Sequence, residues 1–123
     1  MSNQPIDISI PDLSGKEEEY LSNCIETNYV SSVGPFVSRF EEAISQYINL
    51  PKECVTSTNS GTSALHLALI ASGIKRNDLV IIPSYTFIAT ANAVINAGGI
   101  PWFIDILEDS LIIDSKLIES EIQ

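Results

Sequence analysis

Cys54-Val55-Thr56-Ser57-Thr58-Asn59-Ser60-Gly61-Thr62-Ser63-Ala64-Leu65 passes from an extended, Thr-rich run through small hydroxylated residues directly into an apolar helical pattern. The helix predicted from Gly61 to Ser72 carries Ala64, Leu65, Leu67, Ala68, Leu69 and Ile70. It is apolar on nearly every side, as expected of a helix buried between a sheet and a second layer. The same order of strand then helix recurs as Leu79–Ile82 followed by Thr86–Ala97, and as Ile100–Ile106 followed by a helix from Asp114 onward. Repeated strand–helix units predict an α/β layer with parallel strands. Gly73 and Gly98-Gly99 stand where helices end in a left-handed residue.

Upstream the texture is helical. Met1–Leu13 alternates weakly and contains two prolines, so it reads as an extended arm. Ser14-Gly15-Lys16-Glu17 has capping-box spacing and predicts a helix to about Asn28 with Tyr20, Leu21, Cys24 and Ile25 as its buried stripe. Tyr29-Val30-Ser31-Ser32-Val33-Gly34-Pro35 lacks helical periodicity and ends in a Gly-Pro breaker, so it reads as an ordered loop. Phe36, Phe40, Ile44, Tyr47 and Ile48 then mark one face of a second helix. The expected organisation is therefore an arm with helices over residues 1–50 and strand–helix units over 51–123.

Composition bounds the function. The chain has 123 residues, 45% hydrophobic and 18% charged, and a formal net charge of −10. This is the balance of a small acidic soluble domain or part of a larger one, not of a disordered or fibrous chain. The charge opposes affinity for nucleic-acid phosphates. No apolar run approaches the roughly 20 residues of a membrane span. The start, MSNQPIDISIP, has neither the basic nor the apolar region of a secretory leader. Cys24 and Cys54 stand apart without a Cys/His cluster, which suits reduced thiols in the cytoplasm and argues against a structural metal.

Two loops could carry chemistry. A helix N-terminus offers unpaired N–H groups and a positive dipole end, so Gly61, Thr62 and Ser63 could hold a phosphate. Neither a Walker loop nor a G-x-G-x-x-G motif is present, and Ser60 acting simply as a helix cap accounts for this segment by itself. The second loop, Pro83-Ser84-Tyr85-Thr86-Phe87, lies at a strand's carboxyl end, where ligands gather in open α/β sheets. Phe87 could stack on a flat ring, although burial in the core is the ordinary fate of a phenylalanine. His66 has no carboxylate or cysteine four residues away and reads as a packed helix histidine. Asp105 and Asp114 have structural explanations at a strand end and a helix N-cap.

Taken together, N-S-G-T-S-A-L-H-L-A-L, D-L-V-I-I-P-S-Y-T-F-I-A-T-A-N-A-V and G-G-I-P-W-F-I-D-I resemble the DegT/StrS-type nucleotide-sugar aminotransferases. The loop Tyr29–Val37 and Arg39-Phe40-Glu41 match as well. The resemblance implies an α/β fold: the N-terminal part of the fold-type I PLP-transferase large domain, three-layered with a mostly parallel sheet, and incomplete over these residues. It implies pyridoxal 5'-phosphate as cofactor, Gly61, Thr62 and Ser63 as its phosphate cup, and Phe87 against its ring. Ser31, Ser32 and Gly34 correspond to the segment that contacts the sugar nucleotide. The implied reaction moves an amino group, usually from glutamate, to a keto sugar nucleotide for surface polysaccharide or lipopolysaccharide, in a homodimer.

The family's Schiff-base lysine lies in a serine-rich loop well downstream of these motifs. Lys16, Lys52, Lys75 and Lys116 each sit in a polar setting that solvation explains. The expectation is thus an N-terminal fragment, inactive alone. The alternative is a non-catalytic remnant that binds a phosphate-bearing ligand or a complementary chain. The resemblance also leaves Cys54–Thr58 without a neighbouring strand while the next two strands pair, and it predicts uncovered apolar faces that favour association.

Overall fold

The computed structural model describes residues 9–31 and 33–122, so the arm over Met1–Ile8, Ser32 and Gln123 lie outside the described residues. The backbone divides into two compact units, Met1–Thr56 and Ser57–Gln123.

In the first unit, α1 (Glu17–Glu26) and α2 (Pro35–Ile48) are followed by a short 3-10 turn, Lys52–Cys54. The capping box expected at Ser14 is not formed. Ser14 N–H donates to Asp12 Oδ1 at 3.0 Å, Lys16 takes the N-cap position, and no side chain caps the helix. Glu17, Glu18 and Glu19 occupy its first turn, where the helix dipole favours negative charge. Pro35 opens α2 with a φ already set for a helix, and Asn49, at φ 55°, closes it in the left-handed conformation. The expected buried stripes do not bury. Leu21 is 65% and Ile25 71% exposed, Phe40 and Tyr47 are exposed, and only Ser45 is buried among the described residues of this unit. Amphipathic spacing selects a face, but burial needs a surface to receive it. What the helices do share is aromatic: the Tyr20 and Phe36 rings lie 5.1 Å apart, and the Arg39 guanidinium sits 5.0 Å from the Phe36 centroid and 5.6 Å from that of Tyr20.

The second unit runs α3 (Gly61–Ala71), β1 (Leu79–Pro83), α4 (Ile88–Asn96), β2 (Ile100–Ile104) and α5 (Ser115–Ile122). The two strands are parallel, with Leu79 opposite Ile100 and Pro83 opposite Ile104. Ile106 lies beyond β2 and forms an isolated antiparallel bridge with Ile113. Cys54–Thr58, expected to be a strand, is not one. Val55 has an extended backbone, but among the described residues no strand pairs with it to make the ladder. α4 begins at Ile88, later than the expected Thr86, because Phe87 takes the extended conformation of an N-cap. Its core is Ile82, Ala91, Ala93, Val94 and Ile104, with Leu69 and Val80 packed against it. α3, expected to be buried between two layers, has no buried residue. Leu69 faces the core, while Leu65, Leu67 and Ile70 are exposed. No helix among the described residues is long and apolar enough to cross a membrane.

The turns after α3 and α4 are built alike and joined to each other. Gly73 and Gly98, at φ 80° and 89°, close the two helices as expected. Asn77 N–H then donates to Gly98 O at 2.8 Å, and Ile100 N–H donates to Asp78 O at 2.8 Å. Gly99 must be small: a Cβ there would meet Asp78 O at 3.2 Å and Val94 Cγ1 at 3.1 Å.

Candidate cofactor site

With the trailing turns of α3 and α4 bonded together and the helices packed on one another, the N-termini of both point the same way. Each helix runs back toward the start of a following strand, so that common end is the carboxyl end of β1 and β2. The second unit therefore gathers Gly61–Ser63, the loop Ser84–Phe87 and Asp105 at one end, the position at which open α/β sheets bind ligands.

At the α3 terminus Ser60 is in extended conformation and its Oγ accepts from Ser63 N–H at 3.2 Å. Capping is thus real, and it leaves the other first-turn N–H groups, those of Gly61 and Thr62, without a partner inside the helix. The cap extends into a small hydroxyl network: Ser63 Oγ donates to Asn59 Oδ1 at 2.8 Å, Ser60 Oγ lies 3.1 Å from Ser63 Oγ, and Thr58 Oγ1 donates to Ser60 O at 3.0 Å. Both donors of Ser63 are consequently engaged in holding the turn. A Cβ at Gly61 would meet nothing within 4 Å, so the space before the helix is open. No acidic residue stands in this first turn. These features fit an anion approaching the N–H groups of Gly61 and Thr62.

Phe87 is 78% exposed and Tyr85 is 69% exposed. The ordinary fate of a core phenylalanine does not apply here, because Phe87 precedes the helix in extended backbone rather than lying on its inner face. A large apolar ring displayed beside an anion-compatible helix end fits a ligand that has both a phosphate and a flat ring. The loop is tethered at both ends. Ser84 N–H donates to Ile104 O at 2.7 Å and Ser84 Oγ to Asp105 Oδ1 at 3.0 Å, while Thr86 Oγ1 lies 2.9 Å from Thr90 Oγ1. Asp105 also accepts from Ile106 N–H at 2.8 Å, and these two bonds, the backbone one first, hold its carboxyl below the ordinary 3.8. From its sequence position Asp105 reads only as a strand end. Its partner Ser84 is distant along the chain, so no local motif announces the pair.

In the first unit, Ser31 lies exposed in the loop before α2. Gly34 takes the α2 N-cap position, and a Cβ on it would sit 3.2 Å from Tyr29 Cβ, so the ring of Tyr29 closes over it. His66 is half-buried, and no group of three His, Cys, Asp or Glu among the described residues could hold a metal ion. Lys16, Lys52, Lys75 and Lys116 are all exposed.

The parallel strand–helix–strand architecture is shared with fold-type I aminotransferases. The likeness is direct in NtdA of Bacillus subtilis, solved with bound cofactor PMP: it superimposes with a TM-score of 0.77 at 32% identity, over all of this chain and 30% of NtdA. The chain belongs to the DegT/DnrJ/EryC1/StrS aminotransferase family, whose pattern matches residues 11–123. GDP-perosamine synthase of Caulobacter vibrioides is 44% identical over 106 residues, 85% of this chain and 28% of that enzyme. The UDP-4-amino-4,6-dideoxy-N-acetyl-beta-L-altrosamine transaminase of Campylobacter jejuni is 49% identical over 84 residues, 68% of this chain and 22% of the transaminase. The chain thus spans less than a third of the length of these relatives.

Proposed function

We propose that residues 1–123 supply the phosphate-holding and ring-supporting part of a PLP-dependent aminotransferase that acts on a keto sugar nucleotide. The observation that carries this reading is the gathering of the open α3 terminus and the exposed Phe87 at one end of one unit. Gly61 and Thr62 N–H groups and the Thr62 hydroxyl would hold the phosphate, the Ser60–Ser63–Asn59 network would keep the turn in place, and Phe87 would cover one face of the ring. When bound, pyridoxal phosphate supplies the electron sink through which an amino group is exchanged. Phe87 would exclude water from that ring face, and the α3 dipole would keep the phosphate dianionic. Family membership favours a sugar nucleotide as acceptor, glutamate as donor, a surface polysaccharide or lipopolysaccharide as destination, a cytoplasmic setting and a homodimer. Ser31, Ser32 and Gly34 are then the candidate contacts to the sugar nucleotide.

Amino transfer also needs a lysine that attaches the cofactor, and such a lysine must have its pKa depressed by burial or a cationic neighbour. The exposure of all four lysines supports the reading that residues 1–123 do not complete the reaction by themselves. Two measurements test the proposal. Gly61→Pro removes one phosphate-facing N–H at a helix position that tolerates proline, and the extended Ser60 already suits a following proline. It should weaken pyridoxamine 5'-phosphate binding about tenfold or more by calorimetry while circular dichroism stays unchanged; unaltered affinity would refute the cup. Reduction with borohydride in the presence of pyridoxal phosphate should give no stoichiometric adduct on one lysine, and a single adduct on Lys52 or Lys75 would reverse the lysine assignment.

A further inference from the structure

We propose that Ser84 and Asp105 are positioning residues for Phe87, a role that rests on the cofactor reading above. The loop that displays Phe87 leaves β1 at Pro83, and Pro83 pairs with Ile104 at the end of β2. Beyond that last pair one backbone bond and one side-chain bond carry the connection on into the loop. Ser84 N–H still reaches Ile104 O at 2.7 Å, and Ser84 Oγ then donates to Asp105 Oδ1 at 3.0 Å. The same carboxylate oxygen accepts from Ile106 N–H at 2.8 Å, which fixes the carboxylate against its own backbone. Asp105 O is also taken, by Asp114 N–H at 2.9 Å. The carboxylate is therefore held by the backbone N–H of Ile106, the residue that carries it is held through its carbonyl by Asp114 N–H, and the loop hangs on it through Ser84.

This clasp makes a prediction opposite in sign to simple electrostatics. Asp105 lies at the same end of the unit as the proposed phosphate cup, so deleting its negative charge should tighten an anionic probe if charge alone mattered. If positioning matters, Asp105→Ala weakens the probe despite the lost repulsion. Asp105→Asn separates the effects, because its amide oxygen can still accept from both Ser84 and Ile106.

The test titrates pyridoxamine 5'-phosphate into the chain and its variants by calorimetry, with amide hydrogen exchange at position 84 followed on the same samples. Ser84→Ala and Asp105→Ala should each weaken binding about three- to tenfold and speed exchange at position 84. Asp105→Asn should bind as well as the parent chain or better, with exchange unchanged. Tighter or unchanged binding in Asp105→Ala, with exchange at position 84 also unchanged, overturns the clasp. Absence of binding by the parent chain overturns the cofactor reading instead. Exchange alone then decides the clasp: faster exchange in both alanine variants upholds it, and unchanged exchange removes it.

Discussion

The two units of this chain bring helices with apolar faces to opposite fates. In the second unit, α4 sits against two paired strands and buries Ala91, Ala93 and Val94, the last only 2% exposed. In the first, α1 and α2 have well-spaced apolar residues, yet Leu21, Ile25, Phe40 and Tyr47 remain in solvent. Part of the difference is residue type, since α4 is rich in Ala, Ile and Val while α1 opens with three glutamates, and part is the surface each helix meets. A strand pair presents a continuous apolar surface at fixed spacing, so a helix laid on it buries several side chains at once, whereas two short helices offer each other a single seam. Here that seam is Tyr20, Phe36 and Arg39, and the exposed grooves beside it are lined by Leu21, Cys24, Phe40 and Ala43 on one side and by Lys16, Glu19 and Asn23 on the other.

Substitutions can sharpen this contrast. The largest effect should come from Ile82→Ala, which opens a cavity among Ala91, Val94 and Val80; urea unfolding should register a loss of about 3 kcal/mol. Gly99→Ala should cost about 2 kcal/mol by the same measurement, since its methyl would press on the Asp78 carbonyl that receives the Ile100 bond. Ser60→Ala removes the α3 cap and should cost about 1 kcal/mol. A smaller effect belongs to pH. Asp105 and Asp12 both have carboxyls below the ordinary 3.8, Asp12 through the Ser14 hydroxyl first and its N–H second. Their stabilisation is complete above 3.8 and fades as pH falls below it through the folded values. Asp105→Asn should flatten the acid limb of the stability curve for the second unit and leave that of the first unchanged. Leu21→Ala should move stability by less than about 0.5 kcal/mol. A loss near that of Ile82→Ala would mean the first unit holds a core that its exposed side chains do not reveal.

Much of the second unit was legible because its signals are local. Gly73 and Gly98 end their helices where a left-handed residue was expected, Ser60 and Asp114 cap as their positions suggested, and the last two strands pair in parallel. Cys54–Thr58 is not a strand, for the reason the family resemblance anticipated: Val55 is extended as its β-branching favours, but a strand exists only with a neighbour, and among the described residues none pairs with it. Ser14 failed as a cap because Asp12, two residues back, took its backbone N–H first. The free donors on which the proposed phosphate cup rests, Gly61 and Thr62 N–H, are announced by any helix terminus, whereas the use of both Ser63 donors within the turn shows only in the structure. Ser84 and Asp105 could not be paired from sequence, because their contact exists only after the strands have set their register.

That register has a kinetic consequence. Among the described residues every buried hydrophobic side chain falls between Leu79 and Ile104, one uninterrupted strand–helix–strand segment. Its closing contacts span a single helical connection, so one loop closure serves all of them, but pairing parallel strands across a helix is slower than closing a hairpin. The seating of Phe87 therefore waits on that one strand-pairing event.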